Sequence, residues 1–200
     1  MAKEKDARRG SPARKGEDMR IHEHGTRTAR ETDLRQAILI GLDEAVTALE
    51  EAFYDLSDDQ LVAFPVPGRN NIAWILMHCL DNLDANAIGV QTGERTFDPA
   101  AQWELWRGSP RPRPVPGASF PSRAELLSLL HQITGRAFEI LEGADAEWPA
   151  EPLDAPLPKR VRADFYMRTI YHTMAHIRQI WLLRGALGLA GGSWPRQYWA

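Results

Sequence analysis

Apolar residues recur at three- and four-residue intervals in four separated stretches of the chain, the spacing of one face of an α-helix. In residues 31–54 the stripe is Leu34, Ile38, Leu42, Val46 and Leu49. A second helix is expected over 71–90, with Asn71 as its N-cap. A third is expected over 122–142, where Ser122 and Glu125 form a Ser-x-x-Glu capping box. The last, 162–187, should end at Gly185 or Gly188, because glycine tolerates the left-handed turn that closes a helix. Residues 55–60 and Pro65-Val66-Pro67-Gly68 interrupt the first pattern. Residues 93–121 form a long connection rich in Pro and Gly, and 149–158 form another. No stretch alternates as a strand would, so the predicted class is all-α, a four-helix bundle. Crossover connections of this length allow a helix order other than up-down-up-down. Trp103 and Trp106 are expected to anchor the longer one.

Composition divides the chain. Residues 1–30 carry nine Lys/Arg and five Asp/Glu with few apolar groups, whereas the remainder carries 15 basic and 22 acidic residues. The first segment has too little apolar surface to offset the entropy of ordering, so it is read as a disordered basic tail ahead of one domain at 31–200. The net charge of -3 points to neither nucleic acid nor a membrane surface. A weak nucleic-acid contact through the tail would be strongly salt-dependent. No apolar run reaches the ~18–20 residues that span a bilayer. The single cysteine, Cys79, excludes an intrachain disulfide, fits a reducing cytoplasm, and sits in an apolar run as a core residue would.

Among six histidines, His172 and His176 are four apart in the last helical stretch. That spacing places both on one face, with Cβ atoms about 5–6 Å apart, close enough for two imidazoles to converge on one ion. At about 100° per residue, His172, His176, Gln179, Leu183, Arg168 and Phe165 share a stripe, and Ile170, Met174, Ile177 and Trp181 lie opposite. In the second stretch His78 aligns with Trp74, Asp81, Asn82 and Ala85, opposite Ile72, Leu76, Leu80 and Leu83. Two arrangements fit this periodicity. Either the apolar stripes face the core and the histidines face solvent, or Trp74, Phe165 and Leu183 make the histidine side a partly apolar pocket.

The run Asn71-Ile72-Ala73-Trp74-Ile75-Leu76-Met77-His78, followed by Tyr171-His172-x-x-x-His176-Ile177-Arg178-Gln179-Ile180, resembles the DinB superfamily over roughly residues 31–190. The resemblance implies four helices in a crossed order and a metal held by His78, His172 and His176. Three histidines leave a coordination position open, as catalytic sites require; a divalent ion there would acidify bound water or thiol. Three imidazoles suit several divalent ions, with zinc or nickel foremost. Relatives that are enzymes use low-molecular-weight thiols in transfer or isomerisation, and many relatives form homodimers. The expectation is thus a metal-dependent protein acting on a small molecule, as transferase, isomerase or hydrolase. The rival is a non-catalytic, stress-related dimeric binding protein.

Two polar neighbours are candidates to serve such a centre. Asp81, near one turn after His78, could orient its ring or act as a base, although a surface carboxylate has the same spacing. Gln179, three after His176, could bond a metal-bound water or simply a neighbouring helix. Arg178 lies off the histidine face and Tyr171 about a quarter-turn away. His131 is read as a structural histidine, and His22 and His24 as residues of a flexible tail. The aromatic end Trp194-Pro195-Arg196-Gln197-Tyr198-Trp199 is expected to fold back on the helices or meet a partner.

Overall fold

A computed structural model describes residues 33–98, 114, 116–153 and 160–189. The basic tail with His22 and His24, the residues Trp103 and Trp106, and the aromatic end lie outside the described residues. Helix α1 is Leu34–Phe53 and α2 is Asp58–Val62. Helix α3 is Ile72–Leu83; it runs through a π-helical turn, Asp84–Gly89, into α4, Val90–Thr92. Helix α5 is Arg123–Gly143, a 3-10 turn covers Trp148–Ala150, and α6 is Arg162–Ala186. Among the described residues the only β pairing is an isolated bridge between Pro152 and Val161, and the class is all-α.

Local chemistry explains the boundaries. The Asp33 side chain accepts the Gln36 N–H to start α1, and Asn71 accepts the Trp74 N–H to start α3. Ser122 and Glu125 form the expected reciprocal box. Ser57 and Gln60 form another, which turns the expected break at 55–60 into α2. That box was written in the sequence as Ser-x-x-Gln. Helix α6 closes on Gly188, at φ +71°, with the Leu189 N–H bonded to the Arg184 carbonyl.

The second rod outruns its expected end. Within it the Val90 N–H reaches back five residues to the Ala85 carbonyl, the signature of a π turn. The carbonyls displaced from the α pattern find other donors. Ala87 O accepts the buried Tyr166 hydroxyl at 3.0 Å, and Asn86 O accepts Gln91 Nε2 at 3.1 Å. Gly93, at φ +82°, then ends α4.

Helix α1 packs against α5 and α6, and α3 packs against the same two helices. The first and second rods, and the third and fourth, therefore sit diagonally, while α3 and α5 are neighbours; connections longer than a tight turn make that order possible. One core runs between them, with Ile38, Leu42 and Leu49 from α1, Leu76 and Leu80 from α3, Leu130 and Ile133 from α5, and Ile177 and Ile180 from α6. Burying each such side chain stabilises the fold by about 1.5–3 kcal/mol. Among the described residues no helix is long and apolar enough to cross a membrane.

Candidate metal centre

Helices α3 and α6 run antiparallel, as their cross-bonds show. His78 meets His172, Ala87 meets Tyr166, and Gln91 meets Arg162, so numbers rise on one helix as they fall on the other. Helix α3 is buried around almost its whole circumference. Its half-buried positions Trp74, His78, Asn82, Ala85 and Gly89 form a single stripe, the one that carries the histidine.

On α6 the sequence-based stripes need correcting. The buried line is Tyr166, Thr169, Thr173, Ile177, Ile180 and Arg184. It runs between the two stripes that hydropathy set opposite each other. Ile170, Met174 and Trp181 are only partly buried on one flank, and His172 and His176 are half-buried on the other. Two threonines in the buried line hid it from the apolar pattern. The histidines thus occupy neither the core nor open solvent.

His78, His172 and His176 come together. Each offers a ring nitrogen, and these atoms lie within 4.8 Å of one another. The Nε2 atoms of His78 and His172 are 2.9 Å apart, while two nitrogens bound to one ion at ~2.0–2.1 Å stand roughly 3–3.4 Å apart. Little rearrangement separates this cluster from a ligand set. Ring centroids are 4.7 Å apart for His78 and His172, 4.9 Å for His78 and His176, and 4.5 Å for His172 and His176.

Gln179 supplies the hydrogen bond that settles one ring. Its Oε1 lies 2.9 Å from His176 Nδ1. A carboxamide oxygen only accepts, so Nδ1 carries the proton and Nε2 keeps its lone pair. Ligating histidines are oriented in this way by groups behind them. Burial holds the pKa of His176 below its ordinary value, partly offset by the Gln179 bond. The neutral ring, the form that binds metal, is favoured. Trp74 stacks on His78 with centroids 5.2 Å apart and planes 20° from parallel, making one wall apolar. The donor set, its half-burial and this orientation fit a divalent ion, which these three residues would hold.

Asp81 is placed differently from Gln179. Its carboxylate is 1% exposed, and its Oδ1 accepts Arg95 Nη2 at 2.6 Å. The fully buried Asp84 accepts Arg95 Nε at 2.8 Å and the Thr96 N–H at 2.8 Å. Together the two carboxylates pin the turn after α4 onto the back of the histidine helix. Sequence reading missed Arg95 and Asp84, because no local periodicity links a residue beyond Gly93 to α3. Cys79 is buried in the core, and its desolvated thiol is pushed far above its ordinary pKa. His131 lies on the outer surface of α5, with Nε2 2.9 Å from Glu50 Oε2 of α1.

An all-α protein with three histidines converging between two antiparallel helices is thereby defined. The sequence profile of the DinB superfamily matches residues 41–180, and the chain belongs to that family. Among solved structures it is similar to the crystal structure of a conserved protein from Enterococcus faecalis, with a TM-score of 0.57 at 16% identity. That alignment covers 78% of this chain and 99% of the other, and at such identity it shows the fold alone. Among curated proteins none matches.

Proposed function

We propose that this DinB-family protein is a metal-dependent enzyme whose divalent ion, zinc or nickel, is held by His78, His172 and His176. The observation that carries the reading is the convergence of three ring nitrogens, one of them with its tautomer set by Gln179. When bound, such an ion acts as a Lewis acid that makes a thiol or water nucleophilic near neutral pH. The substrate we assign is a small molecule, with a low-molecular-weight thiol as the natural co-reactant, in transfer, isomerisation or hydrolysis. Gln179 serves by orienting His176. Asp81, buried and held by Arg95, is suited to fixing the helix behind His78 and adding negative potential there, more than to shuttling protons. Trp74 shields one side of the rings from water. The half-burial of all three histidines favours an open, catalytic site over a closed structural one.

We also assign a homodimer in the cytoplasm. Supporting the dimer are Tyr171 and Leu182, 68% and 70% exposed on the outer face of α6; light scattering in solution tests it. A lone buried cysteine suits a reducing compartment.

The test is elemental analysis of protein purified without a metal-affinity tag, beside His172→Ala. Roughly one ion per chain, lost in the variant, is expected. An unloaded wild type, even after incubation with zinc or nickel, would leave the non-catalytic binding protein as the better reading.

A further inference from the structure

Two of the three ligand candidates stand four residues apart on α6, where the helix itself fixes their spacing. His78 comes alone from α3. It joins the cluster by pointing its Nε2 across the groove, 2.9 Å from His172 Nε2. The last side-chain torsion of histidine is broad, with no strong preference of its own. The direction of that nitrogen is therefore set by what the ring packs against.

Trp74 precedes His78 by four residues on the same half-buried stripe of α3, so one side chain stands above the other. Their planes are 20° from parallel, with centroids 5.2 Å apart. His172 and His176 meet the His78 ring edge-on, at 60° and 85°, whereas the indole lies flat along it. Turning the imidazole about its last torsion would drive a ring edge into the indole face. Trp74 is itself anchored. Its N–H donates to Asn71 Oδ1 at 2.9 Å, and the fully buried Asn71 donates from Nδ2 to the Val62 carbonyl at 3.1 Å. The first turn of α3 is thereby tied to the end of α2, and the tryptophan stands on that turn.

We infer that Trp74 is the positioning residue for His78. Its indole face holds the imidazole with Nε2 toward His172 and His176, as the Gln179 carboxamide holds the ring of His176. A flat apolar surface restrains the ring without engaging either nitrogen, so the Nε2 lone pair is kept for a ligand. This inference rests on the metal reading for what the ring is held ready to bind, but not for the restraint itself.

The experiment is a double-mutant cycle on zinc affinity, measured by competition with chelators. Trp74→Met fills much of the space without a ring face, and Trp74→Phe restores one; each is made in the wild type and in His78→Ala, with folding checked by urea denaturation. In the wild-type background Trp74→Met should bind zinc about tenfold more weakly, the upper end of what an aromatic pair contributes. Trp74→Phe should stay within about threefold of the wild type. In the His78→Ala background the indole has no ring left to position, so Trp74→Met should change the affinity by less than about twofold. A merely structural role would carry over to that background. Equal losses in both backgrounds, or no loss in the first, would overturn the assignment. Trp74→Leu is a second ring-free variant for the cycle should the methionine protein fail to fold. Should the wild type bind no zinc, the metal reading fails by itself. The restraint is then read on the metal-free protein from the nuclear Overhauser contact between the His78 and His172 rings. Its loss in the ring-free variant and retention in Trp74→Phe support the restraint, and its survival in the ring-free variant overturns it.

Discussion

Replacing Gln179 by leucine should weaken metal binding without unfolding the protein, because the residue is exposed and its side chain bonds His176. The Oε1···Nδ1 contact of 2.9 Å holds the proton on Nδ1 and leaves Nε2 facing the other two rings. A neutral hydrogen bond contributes about 0.5–1.5 kcal/mol net, and solvent competes at this exposed position. The lower half of that range corresponds to a roughly two- to fivefold loss in affinity; groups behind metal ligands typically cost about 10–100-fold. Competition against a chromophoric zinc chelator at fixed pH measures it. Gln179→Glu keeps an acceptor of stronger charge and should bind at least as tightly as the wild type. A second readout needs no metal: long-range nitrogen–proton NMR should show the Nδ1–H tautomer of His176 in the wild type and a shift toward Nε2–H in the leucine variant. A leucine variant with wild-type affinity and an unchanged tautomer would refute the argument.

Arg95→Met removes the charged partner of two carboxylates, at Asp81 and Asp84, that are 1% and 0% exposed. Breaking a buried pair in this way costs about 3–5 kcal/mol, so the urea midpoint should fall sharply at neutral pH and recover partly in acid, where the carboxylates protonate. Thr169→Val removes a fully buried hydroxyl that has no partner. An unmet buried polar group costs about 1–3 kcal/mol, so the valine variant should be the more stable, and an unchanged or lower midpoint would count against that accounting. Asp55, bonded to the buried Arg184 at 2.6 Å and 3.0 Å, has its pKa held below the ordinary 3.8, chiefly by that bond. The folded state therefore prefers the ionised form: the contribution is complete above 3.8 and fades as pH falls through the lower folded value. Asp55→Asn should flatten the stability–pH curve in that acidic window, by a small amount since the carboxylate is 45% exposed.

What was legible in the sequence was local. Asn71, the Ser122–Glu125 box and Gly188 mark their helix ends through bonds that span three or four residues, and the structure uses each one. The His172/His176 pair was legible for the same reason: a four-residue step on a helix fixes proximity whatever the helix packs against. Its meeting with His78 was not local, and only the family resemblance supplied it before the fold did. The Ser57–Gln60 box was equally legible and was passed over.

What was hidden depended on neighbours. Hydropathy set Ile170, Met174, Ile177 and Trp181 against the histidines as though α6 had one buried face and one open face. Helix α6 packs on both α1 and α3, so its buried line falls between two half-covered flanks. Ile170 belongs to the flank toward α1, its Cδ1 so near Gly41 that an added Cβ there would lie 3.2 Å away. The histidines belong to the flank toward α3. Thr169 and Thr173 sit in the buried line, and no scale of apolarity would have chosen them. The same packing explains the site. A helix clamped on two sides presents a narrow third strip, half covered by its neighbour, where burial lowers the pKa of His176 and favours its neutral ring. The diagonal placement of α1 and α3 creates that strip. A bundle in simple sequential order would put α1 beside α3 and take away the α3–α6 contact that joins His78 to His172 and His176. The crossed order and the position of the histidine centre are therefore one structural fact.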